Sequence, residues 1–498
     1  MMKIALKFTY LLAALLITAC KKDGLDTGPV KADFSAEKQE IVAGGTVTFT
    51  DISTGMPSRL HWTFEGGSPD TSILSSPEIQ YEQPGTYRVT LRAMRGSQSQ
   101  ETVKESYITV GYGVLTADFS TESTTVYLDE EVRFQNLTSG VATSWEWVFT
   151  SDTDRKQSTE QHPVITFDQP GVYTVTLRSV NPSFEGTETK EQYLTVLDPA
   201  DIEPNFTVQS SLIPINYGVQ FTNTSMGMVE NFNWEFEGAV NSISTEENPV
   251  VQYAAAGTYR VKLTVSNPYT SKSIIKERMV RVIDNSSLVL LIPFDQETTD
   301  LSANSLPVRN QGNLPAFGGQ DRHGEAGRIA TFNGSGGLVI PDHDALNFGQ
   351  SDYSISVWIK SAAGDRMMAW QESGKNGPND NQSWLRLNDN ATDRRMRFNT
   401  EDTTGGFIVN ADRNVTNGQW NHVVCVRRGN RSLIYVNGVV VREGTTATVK
   451  TVSNAGDFKI ALQETATGFN NFFKGDLDDL VVYRKALTEA EIKFLYDL

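Results

Sequence analysis

Residues 475–483 read G-D-L-D-D-L-V-V-Y, so Asp476, Asp478 and Asp479 crowd the start of an otherwise apolar run. A carboxylate in a strand covered on both faces is costly to desolvate, and needs a partner, a metal or a route to water. Three chemistries fit the pattern: catalytic acids, ligands for a hard cation, or a solvated strand edge. Strict alternation puts Asp478, Leu480 and Val482 on one face and Leu477, Asp479, Val481 and Tyr483 on the other. Both faces are then partly apolar, and at least one carboxylate requires compensation.

A second cluster lies in S-W-L-R-L-N-D (383–389) and R-R-M-R-F-N (394–399). Leu385 and Leu387 point to a core in the first segment, leaving Trp384, Arg386 and Asn388 opposite; in the second, Met396 and Phe398 alternate with Arg395, Arg397 and Asn399. If the two strands pair, Trp384, Arg386, Arg395 and Arg397 make a basic, aromatic-bearing surface. It would stack a sugar ring and hydrogen-bond its hydroxyls or a uronate. The loop S-G-K-N-G-P-N-D-N-Q from Ser373 would form a rim, and F-N-N-F-F (469–473) is either core or rim. The alternative is that Trp384 covers a neighbouring loop while the arginines meet local acids such as Asp393 and Glu401.

Other chemistries find little support. The five histidines, at 61, 162, 323, 343 and 422, lack zinc spacing. His422 in W-N-H-V-V is read as a packing residue and Cys425 as a buried small apolar one. No glycine-rich loop carries the Lys and Ser or Thr of a phosphate cradle. With 60 acidic against 43 basic residues the formal charge is −17, which argues against nucleic acid as partner.

The elements that must position these clusters follow from length and self-similarity. At 498 residues the chain needs several cores. Two cysteines, Cys20 and Cys425, are too few for a disulfide framework. Lys3 and Lys7 precede an apolar stretch, Phe8 to Ala19, ordered like a secretory signal and too short to span comfortably as a helix. L-I-T-A-C (16–20) resembles a bacterial lipobox, which implies removal of residues 1–19, lipidation of Cys20 and a tether over 20–31. The following K-K-D-G resembles the start of surface-exported lipoproteins of the Bacteroidetes group, an implied outer-membrane location.

W-T-F at 62, W-V-F at 147 and W-E-F at 234 recur at spacings of 85 and 87 residues. Phe34, Phe119 and Phe206 open each unit, and Gly85, Gly171 and Gly257 precede Tyr87, Tyr173 and Tyr259 in step. Alternation within each unit predicts short strands with the Trp and Phe rings inside, and a tyrosine corner after each turn. V-T-F-T-D-I-S, W-T-F-E-G and Y-E-Q-P-G-T-Y-R-V-T-L, with their counterparts in the later copies, resemble the polycystic kidney disease (PKD) repeat, an immunoglobulin-like sandwich. The resemblance implies three tandem domains over 32–111, 117–197 and 204–283, acting as a semi-rigid spacer or as protein contacts.

From Leu288 the pattern changes to strand runs separated by Gly, Asn or Asp turns, predicting a jelly-roll sandwich over 288–498. F-N-G (332–334), S-V-W-I-K (356–360), W-N-H-V-V (420–424), Y-V-N-G (435–438) and the closing G-D-L-D-D-L-V-V-Y-R-K-A-L-T-E-A-E-I resemble the laminin-G-like, concanavalin A-like jelly roll. In T-E-A-E, Thr488 is placed to cap a short closing helix with Glu491 reciprocating. D-L-S-A-N (300–304) matches that family's early Asp-rich loop, so the resemblance implies a structural calcium ion on Asp300, Asn304 and Asp478; the alternative is that these acids hydrogen-bond turn amides or arginine. The Glu-x-Asp-x-x-Glu strand of glycan-cleaving relatives is not found.

The expectation is therefore an all-β, lipid-anchored envelope protein: three sandwiches, then a jelly roll that binds glycan. An adhesion protein whose jelly roll contacts another protein is the alternative, and a glycan-active hydrolase the third.

Overall fold

Alternating runs become strands throughout the computed structural model, which describes residues 28–498. The expected signal segment 1–19, Cys20 and most of the tether lie outside the described residues. The chain forms two compact units, one ending at Asp198 and one running from Pro199 to Leu498. Among the described residues the one α-helix is Glu489–Asp497, and no helix is long and apolar enough to cross a membrane.

The first unit holds two sandwiches. In the first, Phe34–Ala36, Gly45–Asp51, Glu78–Tyr81 and Gly67–Ser68 form one sheet, and Glu40–Val42, Gln98–Gly111, Gly85–Arg95, Arg59–Phe64 and Thr71–Ser72 the other. The second sandwich repeats the five-stranded sheet with Thr125–Tyr127, Glu185–Leu197, Gly171–Val180, Ser144–Thr150 and Arg155–Ser158. Asn181 of the second donates to the Gly113 carbonyl at 3.3 Å and the Val141 carbonyl at 3.0 Å, pinning the segment that enters its sandwich.

The repeated residues do the same work in every copy. Trp62, Trp147 and Trp234 are fully buried, and their indole N–H groups donate to the carbonyls of Leu74, Glu160 and Glu246 at 2.8, 2.9 and 2.9 Å. This satisfies the polar atom that burial would otherwise leave unpaired. Tyr87, Tyr173 and Tyr259 donate four residues back, to Gln83, Gln169 and Ala255, at 2.8, 3.0 and 3.0 Å. The glycines of W-T-F-E-G and W-E-F-E-G have φ near +69° and +70°, and a Cβ on Gly66 or Gly238 would lie 2.2 Å from the Tyr87 or Tyr259 ring. One feature escaped sequence reading: Lys104, Lys190 and Lys276 each sit over the ring of Phe34, Phe119 or Phe206, at 4.4, 4.6 and 4.8 Å, and donate to the carbonyl of that same phenylalanine.

In the second unit, the third sandwich repeats this order, with Leu212–Pro214, Ser271–Ile283, Gly257–Ser266, Asn231–Phe236 and Ile243–Ser244 in its larger sheet. The jelly roll that follows has two seven-stranded sheets. One runs Leu288–Ile292, Lys474–Tyr483, Tyr353–Lys360, Trp420–Arg428, Arg431–Val436 and Val439–Thr445, with Ala330–Asn333 also on Lys474–Tyr483. The other runs Arg309–Gly312, Gly336–Ile340, Phe458–Ile460, Met367–Glu372, Gln382–Leu387, Met396–Asp402 and Gly405–Ala411. Leu290, Ile355, Trp370, Leu385, Phe398 and Leu480 pack between them.

Most of the outer face of the first sheet is covered, the edge strand Val439–Thr445 being the exposed part. Leu291, Val424, Tyr435, Val481 and Tyr483 pack in one apolar cluster with Val280 and Val282 of the third sandwich and Ile492 and Leu495 of the helix. The helix starts on the expected capping box between Thr488 and Glu491. Third sandwich and jelly roll thus share a core, so residues 284–287 are not a free joint.

Candidate functional site

The aspartate run is settled by a β-bulge. Against Tyr353–Lys360 the register slips between the pairs Ser356–Val481 and Trp358–Asp478, and Asp479 has a φ of 47°. The extra residue breaks the alternation assumed from the sequence: Leu477 and Leu480 both face the jelly-roll core, while Val481 and Tyr483 face the third sandwich. Asp478 and Asp479 therefore do not lie on opposite faces but turn together towards two arginines. Arg281 of the third sandwich pairs with Asp479 at 2.5 Å, and Arg322 bridges Asp478 at 2.6 Å and Asp479 at 2.8 Å. All four side chains are at most 6% exposed. Burial pushes the Asp478 carboxyl above the usual range, and the Asp479 charge adds to it. Burial acts the same way on Asp479, but Arg281 and Arg322 outweigh it and hold that group low. The Arg322 guanidinium also lies 4.3 Å over the Trp358 ring. Asp476, farther along, accepts from Thr331 at 2.8 Å.

The three expected calcium ligands are not brought together. Asp300 accepts from the Leu291 and Ser302 amides at 3.0 and 2.9 Å through Oδ1, and from the Leu306 amide and Ser302 hydroxyl, both at 2.8 Å, through Oδ2. Asn304 donates to the Val289 carbonyl at 2.7 Å, while Asp478 belongs to the arginine network. Four donors on Asp300 make it a turn cap, and both its oxygens are already in use. Among the described residues no group of three or more His, Cys, Asp or Glu is arranged to hold a metal ion. These residues do not fit the ion.

The Trp–Arg strands do pair, and in the anticipated phase. Arg386 opposes Arg397 and Trp384 opposes Asn399. Two rows cross the outer face of the second sheet: Lys459, Gln371, Trp384 and Asn399 in one, Met368, Arg386 and Arg397 in the next. This face is more enclosed than alternation suggests. Trp384 is 7% exposed, and Arg386 lies 4.9 Å from its ring centroid. Asn388 leaves the strand with a φ of 61° and donates to the Ala363 and Asp365 carbonyls.

The arginines are held by local acids, one expected and one missed. Arg395 forks onto Asp393 at 2.9 and 2.7 Å, and Arg397 reaches Asp389 and Asp393, both at 2.6 Å. Arg395 and the other guanidinium drive the Asp393 carboxyl well below its ordinary range. Glu401, expected to meet an arginine, instead accepts from Asn399 at 2.7 Å and Gln382 at 3.3 Å. Asp389 stood in the S-W-L-R-L-N-D segment; its role escaped notice because only the turn after Leu387 brings it back over Arg386 and Arg397. Four buried polar atoms here remain without a hydrogen-bond partner: Arg386 Nε, Arg397 Nη1, Asn399 Oδ1 and Asp389 Oδ1.

A second carboxylate with raised proton affinity, Glu372, does not face this surface. Burial lifts Glu372 to about 8, but Glu372 opposes Ser383, whose hydroxyl meets Tyr353 inside the sandwich. His422, read as a packing residue, bonds Ser356 Oγ through Nε2 at 2.7 Å and packs against Trp358, while Nδ1 is unpartnered. Cys425 is buried, and Phe473 of the 469–473 run is core.

The PKD domain family model matches residues 31–105 and 116–190, and a laminin-G-type model of the concanavalin A-like lectin/glucanases superfamily matches 332–493. Solved structures with a similar fold include domain 4 of AbnA, a GH43 extracellular arabinanase from Geobacillus stearothermophilus, in complex with arabinotriose. It is 23% identical over 42% of this chain and 98% of that one, with a TM-score of 0.34. The binding domain of botulinum neurotoxin DC in complex with SialylT is 14% identical over 43% of this chain and 52% of that one, TM-score 0.34. The binding domain of Paraclostridial Mosquitocidal Protein 1 is 16% identical over 42% and 52%, TM-score 0.34. The matches to the two toxin domains span about half their length, and the ligands in these complexes belong to those proteins.

Proposed function

We propose that this chain, with PKD domains ahead of a concanavalin A-like domain, is a non-catalytic glycan-binding protein of the cell envelope. One observation supports the reading most: the outer face of the second jelly-roll sheet sets Trp384 beside Arg386, Arg397 and Asn399, with unpartnered donors and an acceptor among them. Unpaired buried polar atoms are costly in the free protein, and sugar hydroxyls carry both donors and acceptors to meet them. Most of the first sheet's outer face is occupied by the third sandwich and the helix.

The PKD sandwiches act as spacers in this reading, and Cys20 carries the lipid that anchors the protein to the outer membrane, surface-exposed. A glycan array probed with the full-length chain tests the binding role. Signal lost in Arg386→Gln and Trp384→Ala, with the melting transition of each variant recorded to separate binding from folding, supports the assignment. Silence on the array opposes it.

Adhesion through a protein partner is the second reading, and one feature favours it. Ile73 and Leu74 of the first sandwich are adjacent and 75% and 61% exposed, a small apolar spot suited to protein contact.

A further inference from the structure

Charge at the end of the binding face is out of keeping with the rest of the chain. Six arginines, Arg366, Arg386, Arg394, Arg395, Arg397 and Arg413, gather where Gln382–Leu387 and Met396–Asp402 meet the loops beyond them. The acids that pair with them are three: Asp389, Asp393 and Asp412. Arg394 spends its hydrogen bonds on the Ala391 and Thr416 carbonyls, which carry no charge. Arg413, with Arg394, Arg395 and Asn414 and the acids Asp393 and Asp412, lines a shallow cleft of about 480 Å³. This surplus stands on a chain whose formal charge is −17.

The geometry points to an acidic glycan as ligand, its carboxylate received by this arginine group; the inference rests on the glycan-binding reading above. A carboxylate rather than a sulfate is argued from what the cluster already does. Arg395 holds Asp393 through a parallel two-point fork, the planar match that guanidinium makes with carboxylate. Arg397 is 5% exposed, takes Asp389 and Asp393 through Nη2, and leaves Nη1 without a partner. Six guanidinium groups thus stand against three carboxylates, of which Asp389 keeps one oxygen, Oδ1, without a hydrogen-bond partner. Arg366 and Arg395, with side chains 45% and 46% exposed, are the groups a polymer in solution meets first. The neighbouring row of Gln371, Trp384 and Asn399 is buried, so among these groups the arginines at the end of the sheet are the ones a polymer can reach.

The test compares polygalacturonate, its carboxyl-reduced neutral form and a sulfated galactan as probes of the full-length chain, at low and high salt. The expected result is binding to polygalacturonate that weakens with salt, with loss on carboxyl reduction. In Arg395→Gln and Arg413→Gln, both at exposed positions, polygalacturonate affinity falls by about tenfold each, as for one lost charge-assisted hydrogen bond. Equal binding of the reduced polymer overturns the acidic-glycan inference and leaves glycan binding standing. So does preference for the sulfated probe, or unchanged affinity in both arginine variants. Failure of every glycan on a broad array removes the underlying reading as well.

Discussion

Arg281, on the last strand of the third sandwich, is ion-paired at 2.5 Å with Asp479 at the bulge of the jelly roll's closing strand, and both side chains are almost entirely buried. Ser211 accepts from the same guanidinium at 2.8 Å, and Asp295 of the jelly roll accepts from the Ser211 amide at 2.6 Å. Two domains legible as separate modules are joined by charges neither can leave unpaired. Removing one partner of a buried pair costs about 3–5 kcal/mol when it strands the other, a cost that Arg322, still 2.8 Å from Asp479, reduces here, whereas apolar replacement of both is often nearly neutral. Arg281→Ala is therefore expected to lower the melting transition of the second unit, and Arg281→Met with Asp479→Leu to recover most of the loss. An unchanged transition in Arg281→Ala would show that the shared apolar cluster alone holds the two together.

Chelation discriminates between arginine and calcium as the compensation for these acids. Asp300 is saturated by four donors, and Asp478 is bridged by Arg322 through Oδ2 while its Oδ1 has no hydrogen-bond partner, so EDTA is expected to leave the thermal transition of the full chain in place. A drop on EDTA that added calcium reverses would restore the ion expected from the sequence.

Glu372 gives a pH dependence of definite sign. Its carboxyl rises from an ordinary 4.5 to about 8 because burial disfavours the charge more than Ser373, Ser453 and Lys459 favour it. The folded state thus binds the proton more tightly than the unfolded chain. The stability this group contributes is full below about 4.5 and is lost as pH rises through about 8. His422 has the opposite slope: burial lowers it to about 3, so its contribution fades as pH falls below 6.5. The difference between Glu372→Gln and the parent isolates the first effect. Denaturant unfolding should show the variant gaining relative stability between about pH 5 and about pH 9. A flat difference would mean that Glu372 is charged in the fold.

The proposed lipid anchor rests on one residue. Replacing Cys20 with Ser is expected to move the protein from the membrane fraction to the soluble fraction of cells and to abolish incorporation of labelled palmitate. Protease accessibility in intact cells then reads out the surface location. Retention of Cys20→Ser in membranes would refute the lipid anchor.

Strand periodicity, the three Trp-x-Phe positions and the tyrosine corners were readable directly, because each is a local pattern whose partner lies on the same or the next strand. Trp62, Trp147 and Trp234 could hardly be anything but core once their spacing was seen, and the T-E-A-E capping box needs only four consecutive residues. The pairing of Gln382–Leu387 with Met396–Asp402 was also legible, since one turn separates them and their apolar positions agree in phase.

By itself, then, the sequence determined an all-β chain with repeated sandwiches, a jelly roll and a Trp–Arg sheet face. Tertiary structure decided where the charges go. A single extra residue at Asp479 inverts the alternation that assigned the aspartates to faces, and no composition or period announces a bulge. Arg281 lies 198 positions from Asp479, and their pairing exists only because the third sandwich packs on the outer side of that strand. Ion pairs at such separation are set by three-dimensional packing, which local patterns do not encode.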